Sequence, residues 1–315
     1  MTPIRIGTRG SKLALWQAHW VEAELQRHGF ATQIVEIGTS GDRDRQQPIA
    51  GLGFEGVFTK EIQRALLDGK IDLAVHSLKD LPTEQVEGLA FVASPKRGPF
   101  RDAFVSYKAA SLDALPDGSR IGTGSIRRKA QLLNLSGTRF PIVDIRGNVE
   151  TRLKKLDAGD YDAVILAEAG LVRLGLHERI ASFLEQPLFL PAIGQGALGI
   201  EVRSEDTERL SVVIECLNDL PTYAAVSAER SLLRSLRGGC LAPIAAFGEV
   251  KQSTTSNLML TARVLSPNGR QRLETSQNVP FDCSHEIDEI RETAIQLGRK
   301  VADQLLAAGA DLLLR

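Results

Sequence analysis

The N-terminal segment Ile4-Arg5-Ile6-Gly7-Thr8-Arg9-Gly10-Ser11 contains a pattern that returns later in the chain. The alternation of its first residues predicts a short strand, and the glycine and serine that follow predict a turn into a helix. Arg120-Ile121-Gly122-Thr123-Gly124-Ser125-Ile126-Arg127-Arg128 repeats the same order about one small domain later. The same arrangement of strand, glycine turn and helix is therefore predicted twice.

Each copy of this turn ends at a helix N-terminus, where backbone N–H groups and a hydroxyl form a natural cradle for a carboxylate or phosphate. A glycine turn alone is weak evidence for a ligand, because it lacks a full dinucleotide fingerprint and could serve packing. The arginine pair at 127–128 strengthens the ligand interpretation. Leu13, Trp16 and Trp20 share one helix face, and we expect them to be core rather than ligand contacts.

A second informative stretch follows the apolar run Ile71-Asp72-Leu73-Ala74-Val75, which predicts a buried strand. The strand end carries His76-Ser77-Leu78-Lys79-Asp80-Leu81-Pro82-Thr83, and Pro82 prevents a helix from simply continuing. Four polar groups at a strand end are typical of a site. The alternative treats Lys79 and Asp80 as surface charges and His76 as a hydrogen-bonded edge residue. We prefer that alternative for His76 but not for Asp80.

Arginines recur near the ends of the predicted strands in the middle of the chain. Arg146 follows Ile142-Val143-Asp144-Ile145, Arg152 lies on the next helix, and Arg173 follows the strand predicted from Asp162 to Leu166. A solvated surface position explains any one of them. The repetition at strand ends favours an anion site.

Arg237-Gly238-Gly239-Cys240-Leu241-Ala242-Pro243 places a thiol in a glycine loop between a predicted helix and a predicted strand. The glycines remove side-chain bulk, so a large group could approach the sulfur and be attached to Cys240. Taken alone, the segment favours a helix cap followed by a small buried thiol.

The composition limits the functions that are possible. The chain has 315 residues, 43% hydrophobic and 24% charged, which indicates a soluble protein of two or three domains. A net charge of -1 excludes a globally basic nucleic-acid binder, so an anion site requires local clustering of arginines. Three widely spaced cysteines argue against disulfides and zinc. The N-terminus has no apolar signal core and no run reaches membrane-spanning length, so we expect a cytoplasmic protein.

The remaining segments predict the connections. Residues 38–56 are polar and aperiodic, and we expect a mobile lid there. Residues 190–197 predict a glycine-punctuated hinge, followed by a strand over 198–202 that could rejoin the first sheet. Helices, three strands and a Pro267-Asn268-Gly269 hairpin then predict a small α+β third domain.

With these motifs in view, the chain closely resembles the porphobilinogen deaminase family, also called the hydroxymethylbilane synthases. The motifs that carry the resemblance are Ser11 to Ala18, His76 to Thr83, Arg127-Arg128, Arg146 to Val149, Leu190 to Gly199 and Gly238-Gly239-Cys240. The resemblance implies two α/β domains like the lobes of periplasmic binding proteins, joined by hinges, and a third α+β domain that carries the cysteine. We place domain 1 at 1–97 with 197–217, domain 2 at 100–192 and domain 3 at 219–315.

The resemblance also implies the chemistry. Family members join four porphobilinogen molecules head to tail into linear hydroxymethylbilane, releasing ammonia at each step, for porphyrin and haem biosynthesis. The product grows on a dipyrromethane cofactor, and the match places its thioether on Cys240. Loss of ammonia leaves an electron-poor azafulvene, and the family assigns the stabilising carboxylate to Asp80.

By motif matching, the cofactor is contacted by residues of both predicted lobes in addition to Cys240. These are Lys79, Ser77, Thr123, Ser125, Arg127, Arg128 and Arg146. The substrate is assigned to Arg9, Ser11, Gln17, Arg152 and Arg173. Planar guanidinium groups suit the acetate and propionate arms of pyrroles.

Three residues depart from the family pattern: Glu55 stands where lysine is expected in the lid, Gly124 replaces a common serine, and Glu150 replaces a common glycine. The alternatives are a non-catalytic anion-binding protein, a cysteine hydrolase and a phosphate-binding oxidoreductase. The hydrolase would need a histidine partner for Cys240, and the oxidoreductase lacks its glycine fingerprint. We expect a monomer with porphobilinogen as its small-molecule partner, no metal, no nucleic acid and no membrane contact.

Overall fold

The computed structural model describes residues 2–38, 59–237, 242–251 and 256–314. Most of the predicted lid, with Glu55, lies outside the described residues. Cys240 and both glycines before it also lie outside them. The predictions made for those residues therefore rest on the sequence alone.

The first sheet has five strands in the order β2-β1-β3-β10-β4. The strands are β1 Ile4–Thr8, β2 Thr32–Glu36, β3 Leu73–Ser77, β4 Leu89–Ala93 and β10 Leu198–Arg203. Helices α1 Lys12–Arg27, α2 Lys60–Leu67 and α6 Ser211–Leu217 belong to the same unit, which we call the first lobe. β1 runs parallel to β2 and β3, whereas β10 is antiparallel to β3 and β4. The prediction that the strand near 198–202 rejoins the first sheet is confirmed.

The second sheet has the order β7-β6-β8-β5-β9 and repeats this plan. Its strands are β5 Asp102–Val105, β6 Ile121–Gly122, β7 Ile142–Val143, β8 Ala163–Ala167 and β9 Ser182–Leu184. Helices α3 Ile126–Ser136, α4 Val149–Asp157 and α5 Glu168–Arg173 complete the second lobe. β6 is parallel to β7 and β8, and β5 is the antiparallel return strand. The chain therefore crosses between the lobes twice, through residues 94–101 and 185–197.

The third unit is an antiparallel sheet packed on helices. It contains β11 Ile244–Lys251, β12 Asn257–Leu265 and β13 Arg272–Pro280, with α7 Leu220–Ser235, α8 Ile287–Ala307 and α9 Ala310–Leu313. Leu297, Val301 and Leu305 of α8 lie in its core, at most 1% exposed, as their spacing predicts. We call this unit the third domain.

The predicted α/β class is confirmed, with two five-stranded sheet domains and a small third domain built on a three-stranded sheet. The domain limits given above stay a prediction. We call the space between the two lobes the cleft; Asp80 of the first lobe and Arg152 of the second lobe lie on its two sides. Within the described residues, no helix combines the length and the apolar character needed to cross a membrane.

One core prediction is wrong. The buried residues of α1 are Gln17, Ala18, Val21 and Leu25, whereas Trp16 is 38% exposed. Trp16 instead lies beside the second lobe, where its ring centre is 5.5 Å from the Arg173 guanidinium. Helix α1 therefore buries the face that carries Gln17, Ala18, Val21 and Leu25. Trp16 lies on the neighbouring face, which is turned towards the second lobe.

Candidate active site

The turn after β3 presents the polar groups singled out in the sequence. Leu78–Asp80 forms a single 3₁₀ turn, in which Leu78 is buried while Lys79 and Asp80 are exposed. The Leu78 N–H donates to the Ala197 carbonyl at 3.1 Å, so the residue directly before β10 anchors the start of the turn. The carboxylate of Asp80 forms no hydrogen bond or ion pair with the described residues. It is therefore available to a positive charge that develops in the cleft.

Gln17 supports the same turn from α1. Its side-chain amide is 2% exposed and donates to the Ser77 hydroxyl at 2.7 Å. Sequence matching assigns both residues to ligand contacts. In the structure they contact each other, which fixes the strand end from which Asp80 projects.

A small cavity opens beside Asp80 in the first lobe. Polar and apolar side chains line it, namely Arg9, Ser11, Leu13, Ala14, Gln17, Thr59, Ile62, Val75, His76, Ser77 and Asp80. Arg9 offers a cation for a carboxylate arm, and the apolar side chains offer a surface for a flat ring. The cavity therefore combines the groups that a small carboxylated heteroaromatic molecule requires.

Arg152 on α4 faces this turn from the second lobe. Burial lowers the pKa of Arg152, while the charges of Asp144 and Asp80 partly offset that effect. The Lys79 side chain is exposed in this turn, and nearby protein atoms partly desolvate its ammonium group. Desolvation lowers the pKa of Lys79 against the opposing effect of Asp80, and Arg128 and Arg152 lower it further. In the cleft, the exposed carboxylate of Asp80 is therefore close to Lys79 of the first lobe and to Arg152 of the second lobe.

Arg127 and Arg128 are held by a carboxylate that sequence reasoning missed. Asp102 is fully enclosed, and its oxygens lie 2.7 Å from each guanidinium. Burial alone would raise the pKa of Asp102, but the two positive charges lower it to about 2. Both arginines are only 5% exposed. Their assignment to the cofactor stays a prediction. Their shared partner, Asp102, fixes the orientation of both guanidinium groups.

Each of these arginines also donates to a backbone carbonyl. Arg127 donates to Leu190 at 2.6 Å, and Arg128 donates to Ile165 at 2.9 Å. Burial lowers the pKa of Arg128 to about 10, so the group remains charged at neutral pH. The pair therefore brings fixed positive charge to the wall of the second lobe.

The other two predicted arginines occupy different places. Arg146 is exposed and its Nε donates to Asp144 at 2.9 Å. Arg173 lies at the crossing between lobes, where it donates to the Gly196 carbonyl at 2.7 Å. Burial lowers the pKa of Arg173 to about 10. Of this pair, Arg146 can move toward a ligand, whereas Arg173 is tied to the hinge.

Ser11 and Ser125 occupy equivalent positions in the two lobes. Each hydroxyl caps a helix, accepting from the Ala14 N–H at 3.3 Å and from the Arg128 N–H at 3.4 Å. Thr123 is buried, and its hydroxyl accepts from the Ser125 N–H. A capping hydroxyl accepts one bond and can still donate its own proton, so capping leaves both serines able to bind a carboxylate.

His76 is not an edge residue. It lies in β3, the central strand of the first sheet, and its Nε2 is 3.0 Å from Oε2 of Glu201 on β10. Burial alone would raise the pKa of Glu201, but His76 and Gln63 lower it. Sequence reasoning missed Glu201, because its partners come from distant strands and helices.

The hinge contains another buried carboxylate that was missed. Glu229 on α7 is 0% exposed and accepts from Arg97 at 2.6 Å, from the Gly194 N–H at 2.6 Å and from the Gly248 N–H at 2.8 Å. The Glu229 carboxylate therefore binds both crossings between the lobes and connects them to the third domain. The signal was present in the sequence, since Glu229 falls on the apolar stripe of its helix with Ala225 and Leu232.

Comparison with known families agrees with this site. The family model described as "Porphobilinogen deaminase, dipyromethane cofactor binding domain" matches residues 4–211, and "Porphobilinogen deaminase, C-terminal domain" matches residues 223–307. The chain belongs to the porphobilinogen deaminase family. The first of these matches spans both lobes and the cleft between them.

Full-length relatives point the same way. The porphobilinogen deaminase of Trichlorobacter lovleyi is 45% identical over 313 residues, covering 99% of this chain and 95% of that protein. The porphobilinogen deaminase of Pelobacter propionicus is 46% identical over 314 residues, covering 99% and 96%. Among solved structures, a periplasmic substrate-binding protein of an ABC transporter from Coxiella burnetii aligns with 72% of this chain and 94% of its own, at 16% identity and a TM-score of 0.45.

The dipyrromethane cofactor of porphobilinogen deaminases fits the residues of the cleft. Its pyrroles carry carboxylate arms, and Lys79, Arg128 and Arg152 bring positive charge to one region from two lobes. The same cleft offers the carboxylate of Asp80, which is exposed. In the part of the chain that the structure describes, no cluster of three His, Cys, Asp or Glu side chains could hold a metal ion.

Proposed function

We propose that this chain carries out the reaction of the porphobilinogen deaminase family with Asp80 as the catalytic carboxylate. The reaction is the hydroxymethylbilane synthase reaction, in which four porphobilinogen molecules are joined head to tail and ammonia is released. When bound, the dipyrromethane cofactor supplies the primer from which the product grows. The observation that carries the proposal is the exposed carboxylate of Asp80 in the turn after β3, where it lines a cavity together with Arg9 and Ser11.

Asp80 acts where positive charge develops. As the aminomethyl C–N bond of porphobilinogen breaks, ammonia leaves and the pyrrole becomes electron-poor. A carboxylate beside the pyrrole N–H stabilises that charge, and a fixed carboxylate does so without reorganisation. The new carbon–carbon bond forms at the free α carbon of the previous ring, which then loses its proton.

The cations bind the carboxylate arms. Arg9 and Ser11 line the small cavity beside Asp80, and we assign them to the incoming porphobilinogen. Lys79, Arg128 and Arg152 suit the arms of the bound primer, together with Ser125 at its helix N-terminus. A hydrogen bond to a charged group contributes about 1.5 to 3 kcal/mol, so several of them hold a polyanion firmly.

Cys240 is the proposed attachment point, on the basis of sequence alone. A thiolate captures a carbon electrophile well, which suits it to the formation of a thioether. The protein is further proposed to be a cytoplasmic monomer that acts on a small molecule, without nucleic acid or membrane as a partner.

Intact-protein mass spectrometry tests the proposal. The purified protein should carry a two-pyrrole adduct that is absent from Cys240→Ala, and limiting porphobilinogen should add further pyrrole masses one at a time. An active wild-type protein with an unmodified mass would refute the mechanism. Porphobilinogen binding without release of ammonia would favour a non-catalytic anion-binding protein.

A further inference from the structure

Arg230 reaches from the third domain to the backbone directly after Asp80. It lies on α7, and its guanidinium donates to the Leu81 carbonyl at 2.9 Å and to the Pro82 carbonyl at 2.7 Å. A guanidinium is a rigid planar fork, so two bonds to successive carbonyls fix the direction of the chain as well as its position.

The surroundings of Arg230 hold the fork in place. Its guanidinium carbon is 5.4 Å from the centre of the Phe91 ring, and Glu201 supplies a nearby negative charge. Burial lowers the pKa of Arg230 to about 10, so the group is charged at neutral pH.

The two halves of the Asp80 turn have different supports. The first half is held by Gln17 of the first lobe, which donates to Ser77, and by Ala197 at the end of the second crossing, which accepts from Leu78. Beyond Asp80, the Leu81 N–H donates to the Leu78 carbonyl at 3.1 Å, and among the residues that the structure describes the side-chain donors to the turn come from Arg230. The third domain therefore supplies the side-chain hydrogen bonds at the end of the turn.

We propose that Arg230 is a positioning residue, which holds the Leu81 and Pro82 carbonyls so that the Asp80 carboxylate points to the reacting pyrrole. This inference rests on the proposed function of Asp80. The preceding residue, Glu229, binds both crossings between the lobes, so one turn of α7 fixes the hinge and the Asp80 turn together. The third domain thereby sets the geometry of chemistry that takes place in the first lobe.

Substitution at position 230 tests this role. Arg230→Met removes the fork at similar length, and Arg230→Lys keeps the charge but replaces the rigid planar fork by a single ammonium nitrogen on a flexible chain. Arg234→Met is the matched control, because Arg234 is exposed on the same helix. For each protein, kcat and KM for porphobilinogen are measured per enzyme molecule that carries the two-pyrrole mass, so that misfolded or unloaded protein does not count.

We expect kcat of Arg230→Met to fall about 10- to 100-fold, since small displacements of a catalytic group have effects of that size. KM should change by less than about threefold, because the carboxylate-binding groups remain. Arg230→Lys should lie between this variant and the wild type, and Arg234→Met should match the wild type.

The possible failures are distinguishable. If wild-type protein carries no two-pyrrole mass, the proposed function fails. If it is loaded and active and Arg230→Met keeps its kcat, only the positioning role is overturned, and a purely structural role for Arg230 remains. If Arg230→Met does not yield folded protein, Arg230→Lys decides the question, and a wild-type kcat in that variant overturns the proposal.

Discussion

Asp80 shows how a single residue can be assigned from the order of residue types. An apolar strand that ends at once in four polar groups indicates a site, and the carboxylate is exposed at the end of that strand. Asp102 shows the opposite case. Its partners Arg127 and Arg128 lie on another helix, and nothing next to Asp102 in the sequence indicates a buried ion cluster.

Replacing Asp80 by Asn should slow the reaction strongly. The amide keeps the shape of the side chain but loses the negative charge, and loss of one well-placed electrostatic group lowers kcat about 100- to 1,000-fold. The rate of ammonia release per loaded enzyme is the measurement. Asp80→Glu, which keeps the charge, should retain more activity than Asp80→Asn. A rate for Asp80→Asn close to that of the wild type would exclude Asp80 as the catalytic carboxylate.

The Asp102 cluster predicts a specific dependence of stability on pH. The pKa of Asp102 is about 2 in the folded protein, below its usual value of 3.8. A carboxyl with a lowered pKa stabilises the fold fully above pH 3.8, and this contribution is lost as the pH falls towards 2. Wild-type protein should therefore lose stability over this interval more steeply than Asp102→Asn.

At neutral pH, Asp102→Asn should be destabilised by about 3 to 5 kcal/mol, because it leaves two buried guanidinium groups without their anion. Urea unfolding at several pH values measures both effects. Equal pH slopes for the two proteins between pH 2 and 3.8 would show that Asp102 does not contribute in this way.

At the scale of elements, the strand, turn and helix repeat was predictable because its signals are local. Alternation, glycine and a capping serine lie within a few residues of one another, and both predicted helices begin directly after their serines. Boundaries set by tertiary contacts were less predictable. β3 runs to Ser77 rather than to Val75, because β10 pairs with His76 and Ser77.

Gly124 lies in a turn where a side chain has little room. A Cβ placed there would be 2.8 Å from the Ile145 carbonyl oxygen and 3.3 Å from Oδ1 of Asp144. The backbone of the neighbouring segment must therefore shift to admit the serine that is common at this position. Crowding of this kind typically costs about 1 to 3 kcal/mol.

We therefore expect Gly124→Ser to be less stable than the wild type, with a lower thermal midpoint, although the new hydroxyl restores a group typical of the family. Thermal unfolding of the two proteins side by side is the measurement. A thermal midpoint for Gly124→Ser at or above that of the wild type would show that the backbone after β7 can shift without loss of stability.

At the scale of the whole molecule, two kinds of contact join the lobes. The buried junction of Arg97 and Glu229 ties both crossings to the third domain. By contrast, Lys12 of the first lobe meets Glu150 of the second at 2.7 Å, with side chains 74% and 36% exposed. The sequence predicted hinges, but the junction depends on residues far apart in the chain. Sequence order therefore could not identify which contact controls the arrangement of the lobes.

The solvent exposure of the Lys12–Glu150 ion pair determines how much it contributes to the free energy of unfolding. An exposed ion pair contributes about 0 to 1 kcal/mol and is screened by salt. A double-mutant cycle with Lys12→Gln and Glu150→Gln, followed by urea unfolding, should give a coupling energy below about 1 kcal/mol that disappears near 1 M salt. Glu150→Gly, which restores the common family residue, should lower the free energy of unfolding by no more than about 1 kcal/mol, the usual cost of glycine in a helix. A coupling above about 2 kcal/mol that persists in salt would mean that this pair, rather than the buried junction, holds the lobes together.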